Sequence, residues 1–149
     1  LRELTSWHAA EHRIFSLWYS PDGTKLFSSE RLNNTNTVWN ATTEKPLAVL
    51  ISQGGTRRSA FSPDGATLAI GGGLSDIWLW DLASNTAITQ IDFNPTVTND
   101  LLNDLAFSPD GLRLASGSWE GTVRLWDLAI CSPVAGLKTS LVRPLWPAT

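Results

Sequence analysis

One five-residue word recurs through this chain of 149 residues and sets its organisation. The sequence reads YSPDG at 19–23 and FSPDG at both 61–65 and 107–111. The serines of the three words stand 42 and 46 positions apart. Periods of this length are typical of repeat architectures, in which each copy is one small structural unit. The chain is therefore expected to fold as three similar units in series.

The three copies continue beyond this word in the same order. A short apolar run follows each word, and a second run ends on a tryptophan 18 or 19 positions after the serine. Short runs bounded by turn residues predict four strands in each copy, and no stretch has the helical period. The predicted class is therefore all-β. In the third copy we expect strands at about 104–109, 113–118, 122–128 and 133–139.

The SPDG word itself predicts a turn between the first and second strands of each copy. Proline presets φ for a tight turn, aspartate accepts hydrogen bonds from the backbone two residues on, and glycine tolerates a positive φ. This interpretation explains the word by backbone shape and requires no ligand.

These residues together resemble the repeat of the WD-repeat β-propeller family. The resemblance rests on the SPDG turns, on LASGS at 114–118, and on LWDL at 79–82 and 125–128. It implies four-stranded antiparallel blades arranged around a channel. The spelling is similar to repeats of large bacterial signalling proteins. The implied division is an outer strand of a preceding blade with a connecting loop at 1–12, blades at 13–53, 57–94 and 104–140, an inserted loop at 95–103, and a tail or start of a further blade at 141–149.

Three blades are too few to close a ring, because propellers have about four to eight. We therefore expect an incomplete part of a six- to eight-bladed propeller, completed by further blades of a parent chain or by another copy. A ring of two copies is less favoured, because the outer strand expected at 1–7 would have no blade to complete.

The family resemblance also implies which residues hold each blade together. In the family a hydroxyl on the second strand bonds the tryptophan on the third, with an aspartate in the turn between them. The first copy supplies Ser28 and Trp39, the third supplies Ser116 and Trp126 with Glu120 in place of the aspartate, and the second has only Trp80. Asp81 and Asp127 end the LWD motif, which the first copy lacks.

Binding in this family usually takes place on the face opposite the SPDG turns. There the resemblance places the candidate partner-binding residues Arg57, Arg58, Trp119 and Glu120, beside the insertion NPTVTNDLLND at 94–104. The expected function is a non-catalytic scaffold that binds a protein or peptide, as the sensor or partner-binding part of a larger signalling protein. The alternative is a propeller that gates a separate hydrolase, or a periplasmic Tol-type propeller, although those repeats generally lack the LWD ending.

Other chemistries are less well supported. The net charge of −3 disfavours nucleic acid, and no apolar run is long enough to span a membrane. HAAEH at 8–12 matches the pattern H-x-x-E-H of inverted zinc peptidases, but that pattern needs a helix and we favour a loop. GGG at 71–73 lacks the residues of a phosphate loop and predicts a tight turn. We expect no cofactor or metal and, with Cys131 as the only cysteine, a cytoplasmic location.

Overall fold

The computed structural model describes residues 2–30, 34–51, 56–72, 76–92 and 101–129. Within these ranges the chain forms eleven strands and no helix, so none is present that could cross a membrane. The strands are β1 Ile14–Tyr19, β2 Lys25–Glu30, β3 Thr35–Asn40, β4 Pro46–Ile51, β5 Thr56–Phe61, β6 Thr67–Gly72, β7 Asp76–Asp81, β8 Thr86–Asp92, β9 Leu102–Phe107, β10 Arg113–Ser118 and β11 Val123–Asp127.

The strands form three antiparallel sheets, one for each copy of the repeat. Sheet 1 has the order β1-β2-β3-β4, sheet 2 has β5-β6-β7-β8, and sheet 3 has β9-β10-β11. This arrangement confirms the predicted all-β class and its blade-like units. The fourth strand expected at 133–139 in the third copy lies outside the described residues.

Each SPDG word forms the turn that was predicted for it. In the first copy the Gly23 N–H donates to the Ser20 carbonyl over 2.9 Å, and Gly23 has a φ of 70°. The Asp22 carboxylate accepts the Thr24 N–H at 3.0 Å and the Ser20 hydroxyl at 2.6 Å. The words at 61–65 and 107–111 repeat these bonds. The word is therefore structural in all three copies.

The sheets pack face to face in series, and each has two distinct faces. In each sheet we call the face that carries the repeat tryptophan (Trp39, Trp80 or Trp126) the leading face. The opposite face, which carries the residue just before that tryptophan, is the trailing face. The trailing face of sheet 1 packs on the leading face of sheet 2 through Phe27, Val38, Leu50, Leu68 and Ile70. The trailing face of sheet 2 packs on the leading face of sheet 3 through Ala69, Leu79, Ile91, Leu105, Leu114 and Trp126. Burial of these side chains holds the sheets together.

A glycine allows the closest contact between sheets 2 and 3. A Cβ added to Gly71 would lie 1.8 Å from Cδ2 of Leu102, a fully buried side chain. Gly71 and Gly72 are the last residues of β6, so at these two positions the turn predicted for GGG is instead strand. Strand β9 likewise begins at Leu102, so Leu102 and Asn103 belong to a strand and not to the predicted inserted loop.

The described residues of the segment before β1 form no strand, and the outer strand of a preceding blade expected at 1–7 stays a prediction. A strand needs a neighbour that accepts its ladder hydrogen bonds, and no described residue pairs with residues 2–13. The segment instead lies on the leading face of sheet 1. The Trp7 ring meets the Trp39 ring edge to face, with centroids 6.0 Å apart.

The HAAEH pattern in this segment forms no helix, as the loop interpretation predicted. The backbone N–H of His12 donates to Glu30 Oε1 over 2.7 Å, and the His12 ring lies 2.8 Å from the same oxygen. His12 thus fastens the segment to the end of β2.

Candidate functional site

Two of the three repeat tryptophans make the hydrogen bond that the sequence implied. The Trp39 indole N–H donates to Ser28 Oγ, and the Trp126 indole N–H donates to Ser116 Oγ, each over 2.8 Å. In the second copy Ile70 stands where the serine would be, and the buried Trp80 Nε1 has no hydrogen-bond partner in the described part of the chain. These bonds stabilise the blades and offer no binding surface.

The aspartates of the LWD motif close the turn that follows each third strand. Asp81 Oδ1 accepts the N–H groups of Ala83 and Ser84 at 2.7 and 3.0 Å, and these bonds lower the pKa of Asp81. Asp127 accepts the Ala129 N–H in the same way. In the first copy Asn40 takes the place of the aspartate, because its Oδ1 accepts the N–H groups of Thr42 and Thr43. The first copy therefore keeps this turn without the aspartate.

The candidate partner-binding residues lie at the end of the sheets opposite the SPDG turns. Arg58 stands near the start of β5, and Trp119 and Glu120 follow β10 in an exposed turn. Arg57 lies at an irregularity in the pairing of β5 with β6, and its side chain is outside the described part. The structure brings two of these residues, Arg58 and Trp119, to one neighbour, Asn103.

Asn103 joins sheets 2 and 3 at this end. The Arg58 Nε–H donates to the Asn103 carbonyl over 2.6 Å, and the Trp119 indole N–H donates to Asn103 Oδ1 over 3.2 Å. We call Arg58, Asn103 and Trp119 the Trp119 site. Its three residues come from β5, from β9 and from the turn after β10, so the site spans the junction of two sheets.

Trp119 is held in place although its ring faces solvent. Its backbone N–H donates to the Leu101 carbonyl over 3.0 Å, and Gly121 ends the turn with a φ of 78°. The side chain nevertheless remains 67% exposed. A large apolar ring that is both fixed and exposed can bury area against a partner at a low cost in conformational entropy.

Sequence reasoning did not single out Asn103. Its position in the insertion at 94–104 indicates a binding role, because longer loops of repeat proteins often carry binding residues. The pairing of its two polar groups with Arg58 and Trp119 depends on how sheets 2 and 3 meet, which no single repeat encodes. Residues 93–100 of this region lie outside the described residues.

The opposite end of the sheets carries the aspartates of the three SPDG turns, with Lys25 and Arg113 beside them. The hydrogen bond from the Ser20 hydroxyl, followed by that from the Thr24 N–H, lowers the pKa of Asp22 from 3.8 to about 2. The Ser62 and Ser108 hydroxyls lower the pKa values of Asp64 and Asp110 in the same way. These three carboxylates are ionised at neutral pH and belong to the turns that they stabilise.

Comparison with known proteins supports the repeat. Residues 96–127 match the family described as WD domain, G-beta repeat. This match supports the WD-repeat family, whose domains in general are non-catalytic scaffolds for protein interactions. No curated protein matches the chain.

Proposed function

We propose that this protein is a non-catalytic interaction scaffold that binds a peptide segment of another protein at the Trp119 site. One observation carries the proposal: the Trp119 indole is exposed, yet two hydrogen bonds, from its ring and from its backbone, hold it in one position. Binding energy at protein interfaces is concentrated in a few anchors, and tryptophan and arginine are enriched among them. The site supplies both.

The position of the site also favours a peptide. Trp119 and Arg58 lie on two neighbouring sheets and share Asn103, so an extended segment that crosses the junction can contact both side chains. Arg57 and Glu120 belong to the same proposed surface by their places in β5 and in the turn after β10. The 94–104 insertion borders it in sequence.

The wider proposal rests on the sequence motifs of the repeats and on the composition. The bacterial-type SPDG and LWDL words support a partner-binding part of a larger signalling protein, by analogy. The single Cys131 supports a cytoplasmic location, and the net charge of −3 supports partners other than nucleic acid. Cell fractionation, with antibody detection of the protein, tests the location.

A peptide-display selection against the immobilised chain tests the docking site. Selected peptides are then titrated against the wild type, Trp119→Ala, Arg58→Ala and the control Leu112→Ala, which removes an exposed apolar side chain at the opposite end. Loss of an anchor costs about 2 kcal/mol or more, so Trp119→Ala should weaken binding about 30-fold while the control leaves it unchanged. Peptides that bind Trp119→Ala and Arg58→Ala as tightly as the wild type would reject the site.

A further inference from the structure

A cavity of about 640 Å³ lies between sheets 2 and 3 at the end that carries the SPDG turns. Sites for small ligands have volumes of about 300 to 1,000 Å³. Apolar side chains of both sheets line the cavity, among them Leu79 of β7 and Phe107 of β9. Thr67 and the two turn aspartates Asp64 and Asp110 line it as well. The cavity therefore combines an apolar wall with two carboxylates.

At the equivalent place between sheets 1 and 2, the chain inserts a lysine of its own. Lys25 Nζ donates to the Gly65 carbonyl over 3.4 Å. A Cβ added to Gly65 would lie 3.9 Å from Lys25 Nζ and 4.0 Å from Asp22 Oδ1. The ammonium group thus lies between the SPDG turn of its own sheet and that of the next sheet.

The charge of this lysine acts on both turns that it joins. Hydrogen bonds from the serine hydroxyls lower the pKa values of Asp22 and Asp64 most, and the charge of Lys25 lowers both further. An ammonium group is therefore favourable at this junction.

Between sheets 2 and 3 the same turns meet without the lysine. Thr67 has the repeat position of Lys25, because each follows the serine of its turn by five residues. Gly111 is the equivalent of Gly65, and a Cβ added to it would lie 3.6 Å from Pro63 of the preceding turn. Thr67 and Gly111 both line the cavity. The cavity is thus the space that a lysine side chain fills at the first junction.

We propose that this cavity binds the side chain of a lysine from another polypeptide. The ammonium group donates to the Gly111 carbonyl beside Asp64, which are the equivalents of the groups around the ammonium of Lys25. The alkyl part of a lysine packs well on apolar surface while its charged end meets polar groups, and the lining of the cavity offers both. The proposal does not rest on the Trp119 site, which lies at the opposite end of the sheets.

The binding of one lysine is expected to be weak. Lys25 lies near Asp64 and Arg113 lies near Asp110, so cations of the chain already share both carboxylates. We therefore expect affinity in the millimolar range for a single lysine.

Nuclear magnetic resonance titration of the ¹⁵N-labelled chain with capped lysine, acetyl-lysine-methylamide, tests the proposal. The signals to follow are the backbone N–H groups of Ala66 and Leu112, which donate to Asp64 and Asp110. Both should shift and reach saturation. Capped norleucine has a similar stem without the ammonium and should bind about tenfold more weakly or worse, because charge-assisted hydrogen bonds are the strong ones. Absence of a saturable shift with capped lysine, or equal binding of the two probes, overturns the proposal.

Two matched variants separate the cavity from the turn chemistry. Asp64→Asn and Asp22→Asn each keep an acceptor oxygen for their turn, but only Asp64 lines the cavity. Asp64→Asn should weaken binding of capped lysine about fivefold or more, while Asp22→Asn leaves it unchanged. Equal effects of the two variants overturn the assignment to this cavity.

Thr67→Lys gives the most specific result, because it restores in sheet 2 the lysine that sheet 1 has. The new side chain should occupy the cavity from within, so capped lysine should no longer shift the Leu112 signal. A variant that binds the probe as the wild type does overturns the proposal. Butylammonium that binds the wild type more tightly than capped lysine does indicates a free amine as the ligand, and overturns the assignment to a polypeptide.

Discussion

At the scale of single residues, buried serines differ in what they do. Ser116 Oγ accepts the Trp126 indole N–H, while the Oγ of Ser59, which is also buried, has no hydrogen-bond partner in the described part. Ser116→Ala removes the acceptor of the buried Trp126 indole N–H and should lower the free energy of unfolding by about 1 to 3 kcal/mol. Ser59→Ala removes an unpaired hydroxyl and should change it by less than about 0.5 kcal/mol. Urea unfolding of both variants measures this difference, and equal losses would contradict it.

Asn103 is the residue that positions the indole of Trp119. Asn103→Ala removes the side-chain acceptor but keeps the carbonyl that Arg58 uses. Because a neutral hydrogen bond contributes about 0.5 to 1.5 kcal/mol, peptide affinity should fall about 2- to 10-fold. Calorimetric titration measures this loss, which should be smaller than that of Trp119→Ala. An affinity equal to that of the wild type would show that the bond does not prepare the ring for binding.

The residues that sequence could predict are those whose partners lie in the same repeat. Ser28 with Trp39 and Ser116 with Trp126 pair across adjacent strands, so their spacing along the chain encodes the contact. Asn103 pairs with a residue 45 positions away in another sheet. Such a contact depends on the packing of whole sheets, and the motif does not contain it.

At the scale of elements, the SPDG turns link stability to pH. The folded chain lowers the pKa values of Asp22, Asp64 and Asp110, in Asp22 to about 2. Between about pH 4 and pH 2 the unfolded chain therefore binds more protons, and stability falls as the pH falls. The variant with asparagine at all three positions keeps an acceptor oxygen but does not titrate. Its melting temperature should drop less than that of the wild type between about pH 4 and pH 2; equal drops would exclude the turns as the cause.

The junction of sheets 2 and 3 depends on the fit of Leu102 over Gly71. Gly71→Ala places a methyl group in the position of the leucine and should cost about 1 to 3 kcal/mol. Leu102→Ala alone should cost about 2 to 5 kcal/mol through the cavity it leaves. The double variant should lose less than the sum, because the two changes fill one space. Chemical unfolding of the three variants measures the coupling, and strict additivity would refute the contact.

Strands could be predicted from the sequence where the chain contains both strands of a pair. The described strands of the three copies follow the turn words and apolar runs, because each hairpin pairs neighbours in sequence. The segment at 2–7 has no such neighbour, and its Trp7 packs on Trp39 instead of joining a sheet. A strand-like sequence without a partner strand does not specify a strand.

At the scale of the whole molecule, the repeat makes a stack with three kinds of surface. The SPDG end carries turns with ionised aspartates, the outer faces carry apolar side chains, and the opposite end carries the Trp119 site. The count of repeats could be predicted from sequence alone. The placement of one exposed indole on the junction of two sheets could not, because it requires the sheets to be packed.

We propose this indole as the anchor for a bound peptide. Nuclear magnetic resonance of the chain labelled with ¹⁵N-tryptophan observes the indole N–H groups of its eight tryptophans together. On saturation with a selected peptide, the largest shift should occur at Trp119, while the signal of the buried Trp126 should change little. A Trp119 signal that stays in place while the indole signal of Trp18 or another tryptophan shifts would exclude Trp119 as the anchor.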